Sequence, residues 1–249
     1  MRRLLLVGSV LLLVSLCGCA HYQTPGAGVS IPAITDSDVA DVLARKPAAQ
    51  FPAHIVVARV QASGYASRTG SSYGAGQFSV LTTRDIETEE DFAMLASLPG
   101  VAGVGPLNRL LLSPDLRSTH ELRQAAAQLR GDIVMLYTLD TQFHTQSQLS
   151  APLKVVTLGM FASEKLRIVT TCAAALIDVR TGFIYGVAEG TATDTRRSSA
   201  WGTEEAIDAS RLKTERDAFS SALKEVAKTW SSINAQYSAT TADLRSDRR

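Results

Sequence analysis

The side chains of this 249-residue chain suited to nucleophilic, metal or acid–base chemistry are three cysteines, four histidines and scattered carboxylates. None of His21, His54, His120 and His144 is spaced with a second His or Cys as a metal pair requires, and no His-Glu-x-x-His occurs. Asp132 and Asp140 flank one apolar run (IVMLYTL), so they bracket a strand and do not share a cleft as an acid–base pair would. Asp178, in Asp-Val-Arg-Thr-Gly, has the position of a turn carboxylate that accepts from nearby backbone amides. Cys172 lies among apolar neighbours (IVTTCAAALI), where a thiol is buried, has a raised pKa and is inert. The Gly-rich stretch 64–76 (GYASRTGSSYGAG) has the spacing G-x5-G-x3-G-x-G. It lacks the Lys-Ser/Thr of a phosphate cradle and leads into a strand, so it is expected to be a hairpin or flexible surface loop. No catalytic residue, cofactor site or metal site is expected.

The remaining cysteines stand in a different context. Arg2 and Arg3 precede an apolar run from Leu4 to Cys17, the charged and apolar regions of an export signal. The run is shorter than the roughly 20 residues of a permanent membrane span. It ends in Leu16-Cys17-Gly18-Cys19, which resembles the lipobox of bacterial lipoproteins. The resemblance implies cleavage between Gly18 and Cys19, with Cys19 carrying diacylglycerol and palmitate; Leu16 is too bulky to precede a cut at Cys17. Multiple acyl chains anchor stably, at about 0.8 kcal/mol per buried methylene. Ala20 follows where an aspartate would retain a lipoprotein in the inner membrane, so the resemblance implies the outer membrane, facing the periplasm.

Cleavage removes two arginines and no acid, taking the net charge from +1 to +1 − 2 = −1. Such a balance argues against a nucleic-acid partner. Residues 19–51, with Pro25, Gly26, Gly28, Pro32 and Pro47, form the lipidated tether, carrying a short helix near Asp36–Arg45 whose Val39, Val42 and Leu43 share a face. Residues 52–236 form one α/β domain, and 237–249 a polar tail.

Within the domain, His54–Gln61 and Gln77–Asp85 are expected strands, and Val101–Val104 and Leu107–Leu112 short apolar segments of strand type. Thr88 and Ser118 head capping boxes with Asp91 and Glu121. Phe92, Leu95 and Leu98 follow the first at helical spacing, and Leu122, Ala125, Ala126 and Leu129 the second. Asp132–Thr141 is a central strand buried on both faces. Leu153–Phe161, Leu166–Val179 and Phe183–Thr193 follow as strands, the last two joined by a turn with Gly182 at positive φ. Leu212, Phe219, Leu223, Val226, Trp230 and Ile233 form one apolar stripe on a long closing helix that docks on the sheet. The expectation is a three-layer-like α/β (α+β) domain: a mixed sheet, two short helices and a long C-terminal helix.

The helix Leu122–Asp132 (LRQAAAQLRGD) running into IVMLYTLDT, the strand-turn Ala175–Gly186 (ALIDVRTGFIYG) and the closing helix resemble the α/β domain of three groups. These are the curli-secretion-type lipoproteins, the lipoproteins that activate penicillin-binding proteins, and the amino-terminal domain of TolB. The resemblance covers about half of the mature chain and implies fold rather than activity. Three functions follow from anchor and body together. One is a non-enzymatic accessory module for an envelope protein, with loops 64–76 and 142–152 as contact surfaces. Another is an oligomeric secretion pore, which requires spanning hairpins of about 9–11 alternating residues per strand. The third is a hydrolase whose site lacks a recognisable motif.

Overall fold

In the computed structural model the described residues are 28, 30, 39–147, 163–199 and 204–246. The tether helix α1 is Val39–Ala44, and the body opens with β1 (Ala53–Ala62). There follow β2 (Ala75–Gly76), β3 (Phe78–Leu81), α2 (Glu89–Ala96), β4 (Val101–Pro106), a 3-10 turn Arg109–Leu111 and β5 (Asp115–Leu116). The chain continues with α3 (Thr119–Gln128), β6 (Ile133–Ser147), β7 (Ser163–Asp178), β8 (Ile184–Ser199) and α4 (Glu204–Ser246).

The main sheet is open and mixed, in the order β3-β1-β6-β7-β8, and β4 shares the β3 edge of β1. β1 is parallel to β6 and β4 and antiparallel to β3; β6, β7 and β8 form an antiparallel meander. Period-two alternation explains the two cores. Ile55, Val57, Met135, Tyr137, Cys172 and Leu176 point to the face covered by α2 and α4. Val56, Val60, Leu136, Ala175 and Ile177 point to the face covered by α3 and the β3–β5 connections. The sheet therefore lies between helical layers, which is the expected three-layer arrangement.

Local chemistry sets the helix ends. Both capping boxes form: Thr88 and Asp91 satisfy each other's amides, as do Ser118 and Glu121. On α4, Phe219, Leu223, Val226, Trp230 and Ile233 are buried against the sheet as the stripe requires, and Lys228 pairs with Glu225 at 2.6 Å. α4 packs directly on Gly190 of β8, where a Cβ would stand 2.2 Å from the backbone nitrogen of Ala222. Gly182 holds φ +71° in the β7–β8 turn, as expected.

Some expectations are corrected. Leu107–Leu112 is not a strand: Asn108 caps a 3-10 turn, burying Leu107 and Leu112 while leaving Leu110 exposed. The expected strand Gln77–Asp85 shortens to Phe78–Leu81, because Asp85 turns inward to an arginine. The expected contact loop 142–152 is strand through Ser147, since β6 runs on past Thr141, and its remainder lies outside the described residues, as does Leu153–Phe161. α4 runs through the boundary expected at residue 236, and Tyr237 stacks edge-on against Tyr185 at 5.2 Å.

Candidate functional site

Among the described residues, two polar clusters and a groove are places where chemistry or recognition could reside. The first cluster lies under the start of α4. Arg59 stands mid-strand in an otherwise mostly apolar β1 and faces α4, where Asp208, Arg211 and Glu215 follow one another at i, i+3 and i+7. Arg59 pairs with Asp85 at 2.8 Å and Glu215 at 3.5 Å; Arg211 pairs with Glu215 at 2.6 Å and Asp208 at 2.9 Å. Thr141 donates to Glu215 at 3.0 Å, and Thr69 donates to Asp85 at 2.6 Å. Both arginine side chains are fully buried. Burial works against the Arg211 charge, but Glu215 and Asp208 outweigh it and raise its pKa. Beside this cluster, Tyr137 donates to Glu87 at 2.5 Å, and burial, then Glu87, hold the phenol well above its ordinary value.

These groups are turned on one another, so what they do is fix α4 and the Gly-rich loop to the sheet. Of the two expected forms the loop takes the hairpin, with antiparallel bridges Ala66–Ser71 and Tyr73–Val80, and it is pinned to this cluster. Tyr65 is buried with its ring 5.8 Å from the Arg59 guanidinium, Thr69 accepts from Arg211, and Arg68 reaches Glu204 at 3.1 Å. Contrary to the expectation that no hydrolase motif is present, Gly70-Ser-Ser-Tyr-Gly74 within that loop spells the G-x-S-x-G of a nucleophile elbow. It leads into strand β3 and not a helix, and Ser72 spends its hydroxyl hydrogen on the Tyr65 carbonyl at 2.8 Å, so the elbow geometry is lacking.

The second cluster is centred on Asp178, at the end of β7. One carboxylate oxygen accepts from the backbone amides of Ala48 (2.6 Å) and Ala49 (2.8 Å) and from the Tyr185 hydroxyl (2.9 Å). The other accepts from the amides of Arg180 (2.8 Å) and Thr181 (3.0 Å). Beyond stabilising its own turn, as the sequence implies, this carboxylate fastens the tether to the sheet.

The groove, of about 640 Å³, opens on the face away from α4, between Leu136, Thr138, Ala173, Ala175 and Val187, with Ser30 of the tether on its wall. Gly28 lies against Thr138, where a Cβ would meet the hydroxyl at 3.1 Å.

The other sequence candidates are dispersed. Asp132, just before β6, and Asp140 within it are eight positions apart, about 26 Å at the rise of a β-strand, and Asp132 accepts from the His54 amide at 3.0 Å. His54, His120 and His144 are exposed on separate elements. Cys172 is buried, and loss of solvent pushes its thiol up to about 12. Among the described residues no group of three or more His, Cys, Asp or Glu side chains could hold a metal. Gly18, Cys19 and His21 lie outside the described residues.

The ion cluster does not follow from the apolar spacing, although two signals in the chain mark it. One is an arginine inside a β-branched strand. The other is the seven-residue step between Leu212 and Phe219 in the α4 stripe, where the intervening position at helical spacing is Glu215.

No protein-family model matches the chain, and no curated protein does. Among solved structures the chain is similar to a PelC dodecamer from Paraburkholderia phytofirmans, at 11% identity over 72% of this chain and 94% of that one, TM-score 0.26. It is also similar to lipoprotein GNA1162 from Neisseria meningitidis (13%, 65% and 96%, TM-score 0.29). A third is protein XCC0632 from Xanthomonas campestris (12%, 85% and 99%, TM-score 0.32). Likenesses this distant transfer neither residue roles nor activity.

Proposed function

We propose that the chain is a lipid-anchored protein of the bacterial outer membrane, facing the periplasm. Its α/β body then serves as a non-enzymatic binding module for another envelope protein, of the cell-wall synthesis or secretion machinery. The anchor is Cys19 in the lipobox-like Leu16-Cys17-Gly18-Cys19. The observation that carries the reading is the clamp at Asp178, which takes the amides of Ala48 and Ala49 just before the body begins. A tether fastened there fixes how the body is presented to its surroundings, which a recognition module needs and a freely tethered enzyme does not. The buried charges support the same reading, because each guanidinium is already matched to carboxylates inside the protein.

A pore is less well supported. The described outer parts of the long strands set His144, Arg167 and Thr195 side by side on one face and Phe143, Ile168 and Asp194 on the other. Neither row supplies the continuous apolar band that a spanning hairpin presents to lipid. The test of the module reading is crosslinking of the anchored protein in cells, followed by identification of the adduct. One recurrent envelope protein, lost when the body is destabilised but the anchor kept, supports it. Substrate turnover by the purified protein that is abolished by a single substitution contradicts it.

A further inference from the structure

We infer that the end of the body around Asp178 is a docking surface for the anionic phospholipid leaflet that holds the anchor; the inference rests on the lipid-anchored reading above. Among the described residues seven large apolar side chains are exposed, and six of them belong to elements that meet at this end: Val39, Val42, Leu43, Leu129, Ile184 and Val187. Contacts fix the grouping. Arg45, directly after α1, donates to the Gly182 carbonyl at 3.5 Å, and Arg123 of α3 donates to the Val179 carbonyl at 3.3 Å. The Val179 amide in turn donates to Asp132, three residues past Leu129.

The geometry of α1 is that of an interfacial helix. At 100° per residue Val39, Val42 and Leu43 fall within one sector, and Asp41 falls on the opposite side. Val39 is 70% and Leu43 80% exposed, and no buried residue lies on this helix. A solvent-facing apolar sector is costly in water and is the feature that buries into the headgroup boundary of a bilayer.

Charge agrees with the same occupant. Arg45, Lys46, Arg123, Arg130 and Arg180 all belong to this end, against Asp41, Asp132 and the buried Asp178, with Glu189 exposed two residues beyond Val187. The chain as a whole is near neutral, so this is a local excess of cations beside an apolar sector, the combination that anionic lipid attracts. Reach agrees as well. Cys19 is nine residues before Gly28, a span of up to about 30 Å when extended, long enough to bring a lipid on Cys19 to the leaflet under α1.

The test uses the full, lipidated chain. Cys172 is buried, so Leu43→Cys and Leu110→Cys each add one accessible thiol for an environment-sensitive fluorophore. Leu110, 86% exposed on the 3-10 turn, is the apolar residue outside the proposed surface. In vesicles of phosphatidylethanolamine and phosphatidylglycerol, the Leu43 probe is expected to shift to the blue and to be quenched by brominated acyl chains. The Leu110 probe stays in water. K46E/R180E, or vesicles of phosphatidylcholine alone, should weaken the Leu43 signal. Equal, water-like emission at both sites overturns the proposal, as does shielding of Leu43 that appears only when envelope proteins are added. Acyl mass on Cys19 is read separately: its absence removes the anchor reading, while the probe pair, with vesicles in excess, still decides the docking.

Discussion

The carboxylate of Asp178 holds the backbone amide of Ala49 at 2.8 Å across 129 positions of sequence. The same oxygen takes the Ala48 amide and the Tyr185 hydroxyl, so one buried side chain ties tether, turn and β8 together. In Asp178→Asn the charge is lost and an amide NH₂ is set against groups that themselves donate. The expected cost is about 3 kcal/mol, as for breaking a buried charge-assisted network. Urea denaturation measures it. Trypsin cleavage after Arg45 should also become faster in the native state.

The ion cluster under α4 predicts strong coupling. Glu215→Gln withdraws the charge shared by Arg59 and Arg211 and should destabilise by roughly 3–5 kcal/mol, because it strands buried cations. Removing both partners in Arg211→Met/Glu215→Met should cost less than the sum of the single changes. Glu225→Ala, which breaks an exposed pair, should cost under about 0.5 kcal/mol. A double-mutant cycle in urea distinguishes these; additive costs at 211 and 215 contradict the coupling.

The contact between β8 and α4 makes a sharper steric prediction. Gly190→Ala places a methyl group 2.2 Å from the Ala222 nitrogen and 2.7 Å from the Ala218 carbonyl, both backbone atoms that cannot rotate away. A loss of roughly 2–4 kcal/mol is expected, seen as a fall in Tm. Gly105→Ala meets nothing within 4 Å and serves as the control.

Much of this architecture is legible in the sequence because it rests on periodicity. Both capping boxes, the α4 stripe and the doubly buried run 133–139 follow from spacing alone, and so does the hairpin at Gly182. What spacing does not encode is which polar side chains meet across long loops. Arg59 and Glu215 are separated by nearly the whole body and look like two ordinary charges until β1 and α4 are stacked. The Gly-rich loop reads as a hairpin or a flexible surface loop by composition, and nothing in its spacing shows that Tyr65 and Thr69 pin it to that cluster. Likewise Leu107–Leu112 carries strand-like residues, and Asn108 turns it into a capped 3-10 segment through a single side-chain bond to the Leu110 amide.

The buried thiol gives a pH prediction. Burial raises Cys172 from its ordinary value of 9.0 to about 12, so the neutral form is favoured in the folded state. The contribution is intact below about pH 9 and is lost as pH rises toward about 12, because the unfolded chain ionises first. Cys172→Ala should flatten that part of the stability curve. In the native wild type the thiol should resist iodoacetamide at about pH 8 and react only on unfolding.

The proposed function stands on a lipid anchor at Cys19. Intact and peptide mass spectrometry of the membrane-extracted protein tests this most directly. A mature chain beginning at Cys19, bearing diacylglycerol and a further acyl chain, and lost in Cys19→Ala, is the predicted result. An unacylated chain, or one whose amino terminus lies elsewhere, contradicts it.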